Sequence, residues 1–152
     1  MYSHHAQALL DGVDVAPFDP DAALQTANKF GRITSTDLPT FYANLEILTD
    51  TWRCRLASPA PINWSAPIRA LARYGVERYW LQAVSDYDLI CRVKTIVAAC
   101  LLVKTLGGNP IETAQLYSKE IENNADNVDS ILDAAYIHIA FTDENLLGLL
   151  LI

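Results

Sequence analysis

The sequence predicts an all-α protein, an antiparallel bundle of six or seven helices around one central helix. Apolar residues recur at steps of three and four through most of the chain, and no stretch alternates with a period of two. Prolines and glycines fall between these periodic segments, at positions that start and stop helices. The stretch Asp86–Leu106 is apolar around nearly its whole circumference. Leu89, Val93, Ile96, Cys100 and Val103 cover one side, Ile90, Val97 and Leu101 extend it, and Leu102 and Leu106 point the other way. A helix of that kind is surrounded by other helices or by lipid. The uncharged run between Lys94 and Lys104 is nine residues, against the ~20 that a membrane span needs. Asp86–Leu106 is therefore expected at the centre of a soluble bundle. Asp86 suits the cap position, Asp88 the positive end, Lys104 the negative end, and Gly107–Gly108 the stop.

The preceding and following segments each carry their own signals. Residues 1–18 hold one possible apolar turn (Ala6, Leu9, Leu10) before Gly12 and Pro17, and predict a tail or a short docked helix. His4 and His5 are adjacent, diverge on a helix, and have no ligand at metal-binding spacing. From residue 19 onward one helical domain is expected. Asp19–Pro20 starts a helix that should reach Phe30 before Gly31. The next helix should run from Thr36–Pro39 to about Leu56, with Phe41, Leu45, Leu48, Trp52 and Leu56 as one buried stripe and the Trp52 indole N–H near the edge. Pro59 and Pro61 impose an extended connection. Ser65 or Asn63 caps a helix with Pro67 in its first turn, continuing to about Val84. Ile68, Leu71, Ala72, Val76, Tyr79 and Trp80 should form its apolar face. Gly75 in mid-helix suggests a bend or a close helix contact.

Asn109-Pro110-Ile111-Glu112 combines a cap, a first-turn proline and an acidic partner, close to a capping box. The helix it opens should carry LYSKEIEN, with Ile111, Ala114, Ser118 and Ile121 inward, and break at Asn123–Asn124. Asp126 starts another, striped by Val128, Ile131, Leu132, Ala135 and Ile139. Thr142 begins a last apolar helix that must dock on the core or on another molecule.

Charge is segregated along this chain of 152 residues and net charge −7. Residues 1–50 hold two basic and seven acidic groups, residues 51–104 eight and three, and residues 105–152 one and eight. The three segments are thus −5, +5 and −7. An acidic chain is a poor match for nonspecific nucleic-acid binding. Two arrangements of the basic middle are open: pairing with the acidic ends, or presentation of Arg69, Arg73, Arg53 and Arg55 to an acidic partner. Three cysteines, Cys54, Cys91 and Cys100, have no short paired spacing and fit free thiols in a reducing, cytoplasmic setting. With no long apolar run at the start, a secretory signal is not expected.

Catalytic chemistry has no sequence signature here. CxxC, HExxH, phosphate-loop and Gly-x-Ser-x-Gly patterns are missing, so neither catalytic nor metal-binding residues are assigned. Cys91 and Cys100 lie ~180° apart on one helix and cannot share a metal. His138 and Tyr117 read as structural residues at the core edge. Four segments nevertheless resemble the C-terminal portion of the flagellin lysine-N-methylase family: LEILTDTW at 45–52, RYWLQAVSDYDLICRVKTIVAACLLVKTL at 78–106, LYSKEIENNADNVDSILDA at 116–134 and FTDENLLGLL at 141–150. The resemblance implies a helical portion of an enzyme that transfers methyl groups from S-adenosylmethionine to lysine, with an iron–sulfur cluster held by clustered cysteines elsewhere. This chain has no such cysteines, so no cofactor is expected in it alone. It would then shape a substrate or partner surface beside a cluster-bearing segment. The alternative is a stand-alone interaction module, self-associating through its apolar C-terminal helix.

Overall fold

The computed structural model describes residues 37–150, together with 11–13, 19, 21, 22 and 25. Seven α-helices and no strand form among these residues, so the fold is all-α as expected. The expected ends at Phe30 and Gly31, and His4 and His5, lie outside the described residues. The start at Asp19 lies inside them, and its carboxylate accepts from the N–H groups of Asp21 and Ala22 at 3.0 Å.

The stripe from Phe41 to Leu56 folds as two helices, α1 (Asp37–Ala43) and α2 (Asp50–Ala57), not one. Side chains from far along the chain outcompete the helix ladder between them. The Glu46 N–H donates to Asn127 Oδ1 at 3.0 Å, and the Leu48 N–H to Glu120 Oε2 at 2.7 Å. Thr49 then restarts the helix by accepting from the Trp52 N–H. Leu48 is consequently exposed, while Trp52 is wholly buried and not at the edge, its indole nitrogen without an acceptor among the described residues.

Helix α3 (Ala66–Asp86) runs two residues beyond Val84, to a left-handed Tyr87. The central helix, α4 (Leu89–Leu106), therefore starts later than Asp86, and its cap is Asp88, whose Oδ1 accepts from the Cys91 N–H at 3.1 Å. Asp86 instead closes α3 and pairs with Arg92 at 2.6 Å. Residues 98–106 of α4 are buried on every side, as its composition requires. The N-terminal half is not, because Leu89, Ile90 and Val93 are about half exposed. Gly75 marks the closest approach of α3 to α4: a Cβ there would stand 2.9 Å from Ile96 Cγ2.

The C-terminus of α4 is closed by the extended segment after Pro59. The N–H groups of Ala60 and Ile62 donate to the Leu106 and Lys104 carbonyls at 3.4 and 2.9 Å, which satisfies orphan acceptors of the last turn. Gly107, at φ 68° and ψ −153°, carries the chain past this contact, and a Cβ there would fall 1.8 Å from the Ala60 oxygen.

Helix α5 (Pro110–Tyr117) is capped by Asn109 and continues as a π turn over Ser118–Glu122. Helix α6 (Ala125–Ile137), a 3₁₀ turn (Ile139–Phe141) and α7 (Asp143–Leu149) complete the described chain. Ile111 and Ile139, expected inward, are half exposed. The helix bearing Ile111 gives way to the π turn, and α6 stops before Ile139. Leu146 and Leu149 of α7 join the core with Leu38, Tyr42, Trp52 and Phe141. Two leucines of the apolar C-terminal helix thus face its own core.

Candidate functional site: the π turn and the outer face of α3

A π turn carries one residue more than the helix around it, and such bulges re-aim side chains at sites with special roles. Here it sends two carboxylates in different directions. Glu120 is fully buried and serves the α1–α2 connection: it accepts from the Leu48 N–H and from the Thr49 hydroxyl. Asn127 beside it donates to the Glu46 and Glu120 carbonyls at 2.9 and 3.0 Å. The polar groups of this network partner one another, which makes it an architectural joint.

Glu122 turns toward α3. Its Oε1 accepts from the Tyr79 hydroxyl at 2.7 Å, Oε2 accepts a longer bond from Tyr74 at 3.4 Å, and Arg78 Nε stands 4.0 Å away. The Arg78 guanidinium lies over the Tyr74 and Tyr79 rings at 5.7 and 5.6 Å. Burial, then the Glu122 hydrogen bond, push the Tyr79 phenol up to about 12. It remains a neutral donor at ordinary pH and not a proton acceptor. The cavities around it, about 20 Å³ each, hold no more than one water. A wider open cleft of about 540 Å³ runs between the first half of α3 and α5, lined by Leu71, Tyr74, Ile111 and Ala114.

His138, Tyr117, Cys91 and Cys100 pack into the bundle. The His138 Nδ1 accepts from the Ala140 N–H at 3.2 Å, and its ring packs on Phe41 at 4.9 Å, the structural role expected for it. Tyr117 is buried in the core, not at its edge, and burial raises its phenol well above the usual range. The Cys91 thiol donates to the Leu132 carbonyl and the Cys100 thiol to the Ile68 carbonyl, in separate parts of the core. Burial lifts both thiols to about 11, and nearby Asp88 adds to the rise at Cys91. Cys54 is exposed on α2. These three cysteines do not converge and do not fit an iron–sulfur cluster; among the described residues no group of three His, Cys, Asp or Glu is placed to hold a metal ion.

Comparison with protein-family models, with curated proteins and with solved structures finds no match to this chain.

The four arginines of the expected strip are not brought together. Arg55 points inward, donating to the Gly107 carbonyl and the Thr113 hydroxyl at 3.0 and 2.9 Å, and lies 4.0 Å from Glu112. Arg53 sits 3.9 Å from Asp50 on its own helix. Arg69 and Arg73 stay exposed on α3, with Arg73 bonded to Glu77 at 2.8 Å. At 100° per residue they share one outward stripe with Val76, Trp80 and Val84. Val76 and Trp80, expected on the apolar core face, are instead 51% and 54% exposed, and Val84 59%. The core-facing side of α3 is instead Ile68, Gly75 and Ala83, because small residues let α3 and α4 approach closely. Leu81, 78% exposed, flanks the stripe, and Tyr87, 96% exposed, ends it. Tyr87 occupies the left-handed position that closes α3, where glycine is the unstrained choice. A bulky ring held there at a backbone cost of ~1 kcal/mol gains nothing from burial among the described residues.

Proposed function

We propose that this chain is a helical protein-interaction module that docks through the outer face of α3. The observation that carries it is the run Val76, Trp80, Leu81, Val84 and Tyr87, exposed on one helix whose opposite side is packed. Exposed apolar side chains scattered singly are ordinary, but a contiguous group rich in aromatic residues marks an association surface. Arg69 and Arg73 extend the same stripe as a polar rim. The lysine-methylase resemblance suggests one partner for such a face, a cluster-bearing segment beside which the bundle would shape a substrate surface. Methyl transfer and the S-adenosylmethionine and iron–sulfur chemistry would then belong to that segment.

A photoreactive amino acid at position 81 of the full chain, irradiated in cells, tests the docking. A discrete crosslinked adduct that Trp80→Glu abolishes is the expected result. Absence of any adduct from position 81, with adducts from an equally exposed position such as 137, would overturn this assignment of the face.

A further inference from the structure

We infer that the occupant of the α3 face is a second copy of this chain, packed antiparallel about a two-fold axis at Trp80. The inference rests on α3 being the docking surface and adds what docks there.

Its basis is the order of residues along the stripe. Arg73, Val76, Trp80, Val84 and Tyr87 lie seven and four positions before Trp80, then four and seven after it. The pattern is symmetric about its centre. A two-fold axis there sets Trp80 against the same residue of the other copy and each Val76 against the partner's Val84. Each Arg73 meets the partner's Tyr87. An isologous contact demands this kind of self-complementarity, with every residue meeting its mirror position in the list. The Arg73 guanidinium and an exposed tyrosine ring form a cation–π pair, so the outermost positions also match in chemistry. Glu77, which bonds Arg73 at 2.8 Å beside the stripe, would sit about 6 residues from its own copy, and the two Arg73 side chains would sit about 14 residues, or ~21 Å, from each other along the paired helices. That exceeds the ~8–10 Å screening length of physiological salt.

Size agrees. If every exposed part of Val76, Trp80, Leu81, Val84 and Tyr87 were covered, roughly 700 Å² would be buried on each copy, against the ~800 Å² per partner of a standard interface. The inference also accounts for Tyr87, whose left-handed position holds its ring clear of the described bundle.

Sedimentation velocity of the full chain from low to high micromolar concentration tests this. A monomer–dimer equilibrium without larger species is expected, because a two-fold contact closes on itself. Trp80→Glu should weaken the dimer about a hundredfold or more, as for the centre of an interface, and Leu81→Glu, beside the stripe, about tenfold. Both positions are exposed, so the monomer should melt as before. Tyr87→Gly should weaken dimerisation about tenfold while leaving the melting temperature equal or higher, since glycine relieves the left-handed turn. A dimer indifferent to these changes, or open-ended assembly, would overturn the two-fold at Trp80. A monomer at all concentrations that still crosslinks from position 81 to a different protein would overturn the second copy and leave the docking role standing.

Discussion

A single buried side chain, Glu120, decides where the first two helices end and begin. Its carboxylate is the acceptor for Leu48 and Thr49 in a connection that would otherwise have continued as helix. Removing it strands a buried N–H and hydroxyl, so Glu120→Ala is expected to cost ~2–4 kcal/mol. Glu120→Gln keeps one acceptor oxygen and should cost about half as much. Urea melts of the two variants measure the difference; equal and small losses would show that water replaces the carboxylate freely. None of this was legible from residues in isolation. The segment from Phe41 to Leu56 has a helical stripe, and only a partner more than 70 positions away interrupts it. Local signals fared better where the partner is local. Asn109, Thr142 and Asp19 all cap where their sequence context placed them. Trp80 misled because an aromatic at core spacing has the same pattern whether its face meets the core or another molecule.

At the scale of the helix pair, Gly75 shows a legible signal whose meaning needed the structure. Its position in mid-helix announced a bend or a close contact, and the contact is with Ile96. Helix propensity alone would make Gly75→Ala stabilising by ~1 kcal/mol. The steric argument reverses the sign, because the new Cβ would lie 2.9 and 3.0 Å from two γ-carbons of Ile96. These sit close to the backbone and cannot swing aside, so a loss of ~1–3 kcal/mol is expected. The double variant Gly75→Ala with Ile96→Ala should recover part of it, which makes the coupling readable in a double-mutant cycle of melts. Ile96 itself is half buried, so its own truncation should cost less than a fully enclosed core residue. The helix ends were less legible than the helix. Asp86 and Asp88 are both good caps in sequence, and the left-handed Tyr87 between them selects the second.

For the whole molecule, part of the segregated charge pairs across the bundle among the described residues. Arg55 with Glu112, Arg78 with Glu122 and Lys94 with Asp143 join the basic middle to the acidic final third. Arg69 and Arg73 take no part, since Arg73 bonds within α3. Replacing both by glutamate should therefore change stability by less than ~0.5 kcal/mol. Lys94→Met should cost ~1 kcal/mol, because Lys94 is mostly buried and also donates to the Ala135 carbonyl at 3.3 Å. Parallel urea melts at low and high salt separate the two cases. A large loss from the double arginine variant would mean that long-range field, and not pairing, holds the charged segments together. The all-α class and the central place of α4 were open to sequence reasoning because both follow from periodicity. The exposed apolar face of α3 was not, since periodicity alone does not tell which of two apolar sides another helix covers. No described helix is long and apolar enough to cross a membrane.

The extra residue in the π turn acts as a spacer in the helical phase. Just before it Tyr117 faces the core, and within it Glu120 and Glu122 face the α1–α2 connection and α3. Were the turn one residue shorter, an ordinary helix would result, and everything after the missing position would rotate by ~100°. Both carboxylates would then leave their partners together, the connection before α2 losing its acceptor as Tyr79 loses its own. A single insertion thus keeps two joints of the bundle in register, and chain length at Ser118–Glu122 is as constrained as the identity of any side chain in the core.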